Sequence, residues 1–299
     1  MNNQKINYFR KGKKFLGRIF RNLYFLIFLV GFLFATLLYF RVESNYEAEL
    51  FNNIVENIRA DSGSAISEDS FAVRSMHITH EMLANRSKIF GSVPFKDFKA
   101  GVIQPLTFDL ATANGACGSF SIVLARILAA GNMKARIAQM EVDGVYGGHM
   151  VVEGKTSRGW VVMDPTFDLY FLRPDGKLAS FADVSADWNY YKQQVPADYK
   201  PEYKYSAVRY TNWNKIPIIF PATKKVLDLV LGTKKADKIS IRPIFLRKYY
   251  TGFILVLIIM IPLLLHTLRV LYLKRKFALK SVESEEREFI YPEKIQAQA

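Results

Sequence analysis

A single cysteine, Cys117, stands among 299 residues. No intrachain disulfide can form, which excludes the stapled scaffolds of small secreted domains. Histidine is scarce too, at four residues. His77 and His80 lie one helical turn apart in "HITHE", but no second spaced motif supplies further metal ligands. They read as polar residues on a helix face. No internal repeat is found. Acidic side chains are outnumbered 27 to 41, for a net charge of +14. Residues 1–22 carry +7 of it and 269–299 carry +2, so most of the excess lies at the two ends. The +5 in the middle shows no interleaving of basic and aromatic residues, so the composition does not point to nucleic acid.

What the chain does have is two long apolar runs. "LYFLIFLVGFLFATLLYF", 23–40, carries no charge, and "YYTGFILVLIIMIPLLLHTL", 249–268, has only His266 as a titratable side chain. Each is long enough for a helix to cross a hydrocarbon core of ~30 Å, and each is apolar on every face, unlike a core helix. The first reads as an uncleaved anchor, because "RVESNY" after Phe40 offers no small-residue cleavage site. Lys5, Arg10, Lys11, Lys13, Lys14, Arg18 and Arg21 precede it, while Glu43, Glu47 and Glu49 follow. The positive-inside rule then puts the N-terminus in the cytoplasm, and two spans return the C-terminus there. The expected organisation is a basic cytoplasmic flank (1–22), a span (23–40), a domain in the periplasm or on a cell surface (41–248), a second span (249–268) and a cytoplasmic tail (269–299). The lipid bilayer is thus an expected partner.

Within the middle region, Tyr46, Leu50, Ile54 and Ile58 predict a helix over 44–59, followed by a linker through "RADSGSAISEDS". A second helix is predicted over 71–84, capped by Ser67 or Asp69. Residues 89–113 look irregular. Phe120, Val123, Leu124, Ile127 and Leu128 then share one helical face, with Gly131 as the stop. "KARIAQMEVD", "HMVVEG" and "WVVMDP" read as three successive strands. Residues 184–210 resist assignment. The segment 216–232, apolar but interrupted by Pro217 and Pro221, suits either the membrane surface or the side of the domain. The tail 281–299 reads as disordered.

The chemistry gathers around "NGACGSFS", 114–121. A thiol attacks a carbonyl as the thiolate, which a helix N-terminus and a nearby imidazole favour. Cys117 falls in the first turn of the predicted helix. Gly115, Ala116 and Gly118 leave room beside it, and its own backbone N–H is a candidate oxyanion donor. Gln104 or Asn114 is a candidate second donor. His149 opens one strand and Asp164 ends the next. A symmetric hairpin around "GKTSRG" pairs Val152 with Val161 and His149 directly with Asp164, close enough for the carboxylate to fix the imidazole tautomer. A slip of one residue would separate them onto opposite faces. Gly147 and Gly148 are expected to keep the approach to His149 open.

Together these residues resemble the transglutaminase-like superfamily. The matching elements are Gly115 and Cys117, Gly131, Ala135–Arg136, His149–Met150–Val151–Val152, and Trp160 through Asp164–Pro165–Thr166. The resemblance spans about residues 100–183, within a core expected at about 89–183. It implies an α+β, papain-like transglutaminase core, with the cysteine helix packed on an antiparallel sheet between two transmembrane helices. It also implies Cys117 as nucleophile, His149 as base and Asp164 as orienting carboxylate. Met150–Val151 departs from the Ala-Trp often found after the family's histidine, which bears on substrate preference. No acidic cluster suits the calcium sites of animal transglutaminases, and no cofactor or metal is implied.

Three functions follow as expectations. The first is a membrane-anchored cysteine hydrolase or acyltransferase, working on a peptide, protein or envelope-polymer substrate. The second keeps the fold without catalysis, as a scaffold or binding module in envelope or polysaccharide assembly. In the third, Cys117, His149 and Asp164 hold zinc.

Overall fold

A computed structural model describes residues 22–60, 66–91, 104–213, 218–242 and 246–290. The basic flank up to Arg21, most of the linker after Ala60, the segment 92–103 with Pro94 and Gly101, Pro217, and residues 291–299 lie outside the described residues. The fold is α+β with one antiparallel sheet. The chain divides into two compact units. One comprises the described residues up to Glu43 together with those from Tyr249 onward, and the other is Ser44–Lys248.

The first unit holds the two apolar runs. Helix α1 (Leu23–Ala60) contains the first, and the last helix, Lys248–Ile290, contains the second. Both are long and apolar enough to cross a membrane. Inside this unit Tyr39 meets Tyr249 edge-on at 6.3 Å between ring centroids. Gly252 lies so close to Phe40 that a Cβ there would meet its ring at 2.9 Å, a small-residue approach of the kind that lets apolar helices pack. The last helix continues through Ser281–Ile290, a stretch expected to be disordered. Its Glu and Arg residues are good helix formers, and extending an existing helix avoids the cost of nucleation.

In the second unit, α1 ends at Ala60 and is followed by α2 (Glu68–Phe90), α3 (Leu106–Thr112) and α4 (Cys117–Ala130). Ser67 caps α2 by accepting from the Ser70 N–H. The strands are β1 (Lys134–Val142), β2 (Val145–Thr156), β3 (Gly159–Asp164), β4 (Leu169–Tyr170) and β5 (Val208–Arg209), in the order β4-β3-β2-β1-β5. Short helices α5 (Phe181–Ala186) and α6 (Trp188–Tyr191) lie between β4 and β5. Helices α7 (Ile219–Leu231) and α8 (Thr233–Ala236) follow, and the second apolar run is in α9 (Lys248–Ile290).

The sheet is buried on both faces. Ile137, Val152, Val161 and Met163 pack with Phe51, Phe71, Met76, Leu110, Leu124 and Leu128 of the helices. Met140, Val151 and Val162 pack on the other face with Phe171, Phe181, Tyr191, Tyr199, Tyr203 and Tyr205. The segment 184–210, which has no sequence periodicity, is therefore the cover of this second face. Gly131 does end α4, though not through a left-handed turn. Its φ is −76° and Asn132 takes the positive φ instead, while a Cβ at Gly131 would meet the Phe71 ring at 2.2 Å. Arg59 donates to the Gly131 carbonyl and Arg247 to that of Ala129, placing cations at the negative end of α4.

Candidate active site

The hairpin that carries His149 and Asp164 is tighter than the sequence implies. The turn is Ser157–Arg158, and the pairs are Thr156–Gly159, Glu153–Val162 and Val152–Met163. Val152 does not face Val161, so His149 is not directly opposed to Asp164. The ladder is shifted by two residues, and an even shift keeps both side chains on one face as diagonal neighbours. The turn is held by the first turn of α2. Glu68 accepts from the Ser157 N–H and Asp69 pairs with Arg158. A β-bulge then aims His149. Along β1 the partner of Met140 is His149, yet the partner of Glu141 is Tyr146, so Gly147 and Gly148 are looped out. Gly148 does not open the approach as expected. A Cβ there would meet Val142 at 2.6 Å, so this glycine lets β1 and β2 close over one another.

The three residues meet. His149 is 1% exposed and Asp164 is fully buried. His149 Nε2–H donates to Asp164 Oδ2 at 2.6 Å, and Cys117 lies close enough to favour the charged imidazole. With Nε2 taken by the carboxylate, Nδ1 is the nitrogen left for sulfur. Burial works against the charged imidazole. The Asp164 charge and hydrogen bond, with a further contribution from Cys117, outweigh it and push the His149 pKa up to about 10. Cys117 itself is partly exposed. A buried ion pair thus stands behind an accessible thiol.

Asp164 is secured by more than the imidazole. The Thr166 N–H donates to Oδ1 at 3.1 Å, and the Tyr199 hydroxyl donates to Oδ2 at 3.3 Å. Burial first, then Tyr205 and the Asp164 charge, hold the Tyr199 hydroxyl well above its ordinary pKa, so it stays a neutral donor. Tyr203 stacks on His149, with ring centroids 4.1 Å apart and planes 7° apart. Phe167 meets the same imidazole edge-on at 5.8 Å. A protonated imidazole over an aromatic face is favoured by the ring quadrupole. Sequence reasoning missed these aromatic partners: Tyr199 and Tyr203 lie in a stretch without periodicity or motif, and Phe167 follows Asp164–Pro165–Thr166 without being part of it.

The loop before Cys117 is held by a buried network. Asp109, 3% exposed, accepts from Ser119 Oγ at 2.7 Å, and Ser119 Oγ accepts from the Gly115 N–H at 2.8 Å. Gln104 donates to the same Asp109 oxygen at 3.3 Å, so one of its amide hydrogens is turned toward Asp109. Asn114 lies in the turn, its N–H donating to Thr112 Oγ1 at 3.3 Å. Ala116, the N-cap of α4, has φ 50° and ψ −138°, a conformation costly for a residue with a Cβ, and it has no side-chain cap. Replacing Ala116 with glycine is therefore expected to stabilise the chain by about 1 kcal/mol, and Ala116→Val to destabilise it. Thermal unfolding in detergent would check both signs.

His77 and His80 are not idle polar residues on a helix face. His77 Nδ1 bonds Asp168 Oδ1 at 2.6 Å, and His80 Nδ1 bonds the Pro165 carbonyl at 3.1 Å. Both fix the turn that follows Asp164. No three His, Cys, Asp or Glu residues among those described form a group able to hold a metal. Asp164 takes the Nε2 of His149, so that nitrogen is turned to a carboxylate and away from any shared metal position. Arg242 is a further neighbour. Its Nη1 lies 3.9 Å from Met150 Sδ, and a charge on Cys117 would favour its cationic form. Burial and the like charge of Arg209 bring its pKa down to about 10, with Cys117 opposing, so it is a cation at neutral pH.

The motif residues Arg136 and Trp160 belong to a separate cluster. Arg136 Nε donates to Glu153 Oε2 at 2.9 Å, and its guanidinium lies 4.1 Å from the Trp160 ring centroid and 3.9 Å from that of Tyr210. Their role in this chain is to hold the sheet.

The chain matches no family profile, no curated protein and no solved structure.

Proposed function

We propose that this chain is a membrane-anchored cysteine acyltransferase or amide hydrolase with a papain-like, transglutaminase-type core. The observation that supports this reading is the relay itself: a buried carboxylate, an imidazole held charged, and a partly exposed thiol at the first residue of a helix. In the reaction, the Cys117 thiolate adds to an amide or ester carbonyl. His149 Nδ1–H protonates the leaving amine or alcohol as the C–N or C–O bond breaks, leaving a thioester. Water or an acceptor amine then attacks the thioester. Neutral His149 takes its proton, and Cys117 departs as thiolate with His149 charged again. Arg242 and the Cys117 N–H are candidates to hold the oxyanion.

The two apolar helices would anchor the enzyme in a plasma membrane with both termini cytoplasmic. The domain then faces the periplasm or cell surface, where peptide, protein or envelope polymer is the substrate class. Cys117→Ala is expected to lower hydrolysis or amine exchange on peptide and ester substrates by at least about 10³-fold, while the far-UV dichroism of the purified chain stays unchanged. Full turnover in that variant would overturn the assignment, as would a wild-type chain inert to thiol-directed electrophiles.

A further inference from the structure

The helix α7 is amphipathic in the wrong sense for a surface helix of a soluble domain. At 100° per residue, Ile219, Ala222, Val226, Leu229 and Val230 fall within one arc, and each is exposed. Leu229 is 88% exposed, Val230 70% and Val226 60%. None of the thirteen residues of α7 is buried. The polar residues lie on the other side, where Lys224 pairs with Asp228 and, at 3.0 Å, with Asp237. The break expected from Pro221 does not occur, because Pro221 sits in the first turn, where a backbone N–H has no intrahelical acceptor. A domain that needed α7 for its own core would turn these residues inward, since exposed aliphatic side chains of this size cost free energy in water.

We propose that the apolar face of α7 lies in the headgroup–acyl boundary of the bilayer crossed by this chain's own spans, as an interfacial helix. Two features select lipid as the occupant. Only residues 232–247 separate α7 in sequence from α9, whose apolar run is long enough to cross a membrane, so α7 is tethered within reach of that membrane. Basic residues line one edge of the apolar arc, with Lys225 at the edge and Lys234, Lys235 and Lys238 just beyond against a single exposed Asp237, and they suit anionic headgroups.

Spin labelling of the full-length chain tests this. Cys117→Ser leaves a cysteine-free background. Single cysteines at Val226, Leu229 and Lys225 accept a nitroxide at exposed positions, where folding is not at risk. The chain is reconstituted into vesicles of phosphatidylcholine and phosphatidylglycerol, and nitroxide collisions are measured with oxygen, which concentrates in lipid, and with a water-soluble nickel chelate. The oxygen-to-nickel ratio is expected to be at least about tenfold higher at 226 and 229 than at 225, consistent with burial ~5–10 Å into the interface. Equal nickel access at all three positions would place α7 in water and overturn the proposal. Protection of 226 and 229 from both reagents would mean a protein covers the face, and would overturn it as well.

Discussion

Replacing His149 with alanine is expected to slow alkylation of Cys117 by iodoacetamide at pH 7 by about one to two orders of magnitude. The imidazole is held protonated beside a buried carboxylate, and a positive charge next to a thiol favours attack as the thiolate. The ratio of wild-type to variant rates is expected to be largest near neutral pH. It should collapse toward unity above about pH 10, where His149 loses its proton and the ion pair with it. Asp164→Asn, which keeps an acceptor but removes the charge, should fall between the two. Equal rates in wild type and His149→Ala from pH 6 to pH 9 would show that the pair does not act as a unit. Stability carries the same signature. The folded-state value lies above the ordinary 6.5, so the stabilising contribution is complete below about pH 6.5 and is lost as pH rises through about 10. Wild type should lose more stability than His149→Gln over that interval, measured by unfolding in detergent.

Arg136→Ala is expected to cost about 3–5 kcal/mol, the largest stability effect of any single substitution considered. Glu153 is 1% exposed, and Arg136 is its charged partner among the described residues. Tyr210 also donates to Glu153 Oε2, at 2.5 Å, but a hydroxyl cannot neutralise a buried carboxylate. The guanidinium is also sandwiched between the Trp160 and Tyr210 rings, so its removal opens a gap as well as stranding a charge. Arg136→Lys keeps the charge but not the flat stacking surface or the second donor, and should fall between wild type and alanine. The double variant Arg136→Met, Glu153→Leu should recover most of the loss, because replacing both partners leaves no buried charge unpaired. Thermal unfolding of wild type, Arg136→Met, Glu153→Leu and the double variant forms a double-mutant cycle that reads the coupling directly. Additive effects would show that the pair contributes packing alone.

Much of this arrangement was legible before any coordinates. The apolar face of α4, its start at Cys117 and its end before Gly131 follow from 3.6-residue periodicity. The strands follow from runs of β-branched and aliphatic residues between turn signals. Parity alone put His149 and Asp164 on one face, and it survived an error of two residues in the register. Glu68 and Asp69, nearly 90 positions away in sequence, meet Ser157 and Arg158 at the turn that goes with this register. No local signal carries that information. Tyr199 and Tyr203 were invisible for the same reason. They serve the site from a segment without regular structure, and their value lies in what they touch. His77 and His80 looked like surface polar residues because their partners, Asp168 and Pro165, sit on a turn whose position depends on the whole sheet.

The sequence by itself determined the two apolar runs long enough to cross a membrane, the α+β class of the middle region and the identities of a thiol, an imidazole and a carboxylate in a suggestive order. These depend on composition and short-range periodicity, which a linear chain displays. Only the tertiary structure decided that the imidazole bridges the other two, that Asp109 and Ser119 hold the loop before the thiol, that Arg136 is structural, and that the apolar side of α7 faces outward. Each of these is a contact, or the lack of one, between segments far apart in the chain. Such contacts are fixed by long-range packing, and residue spacing does not encode them.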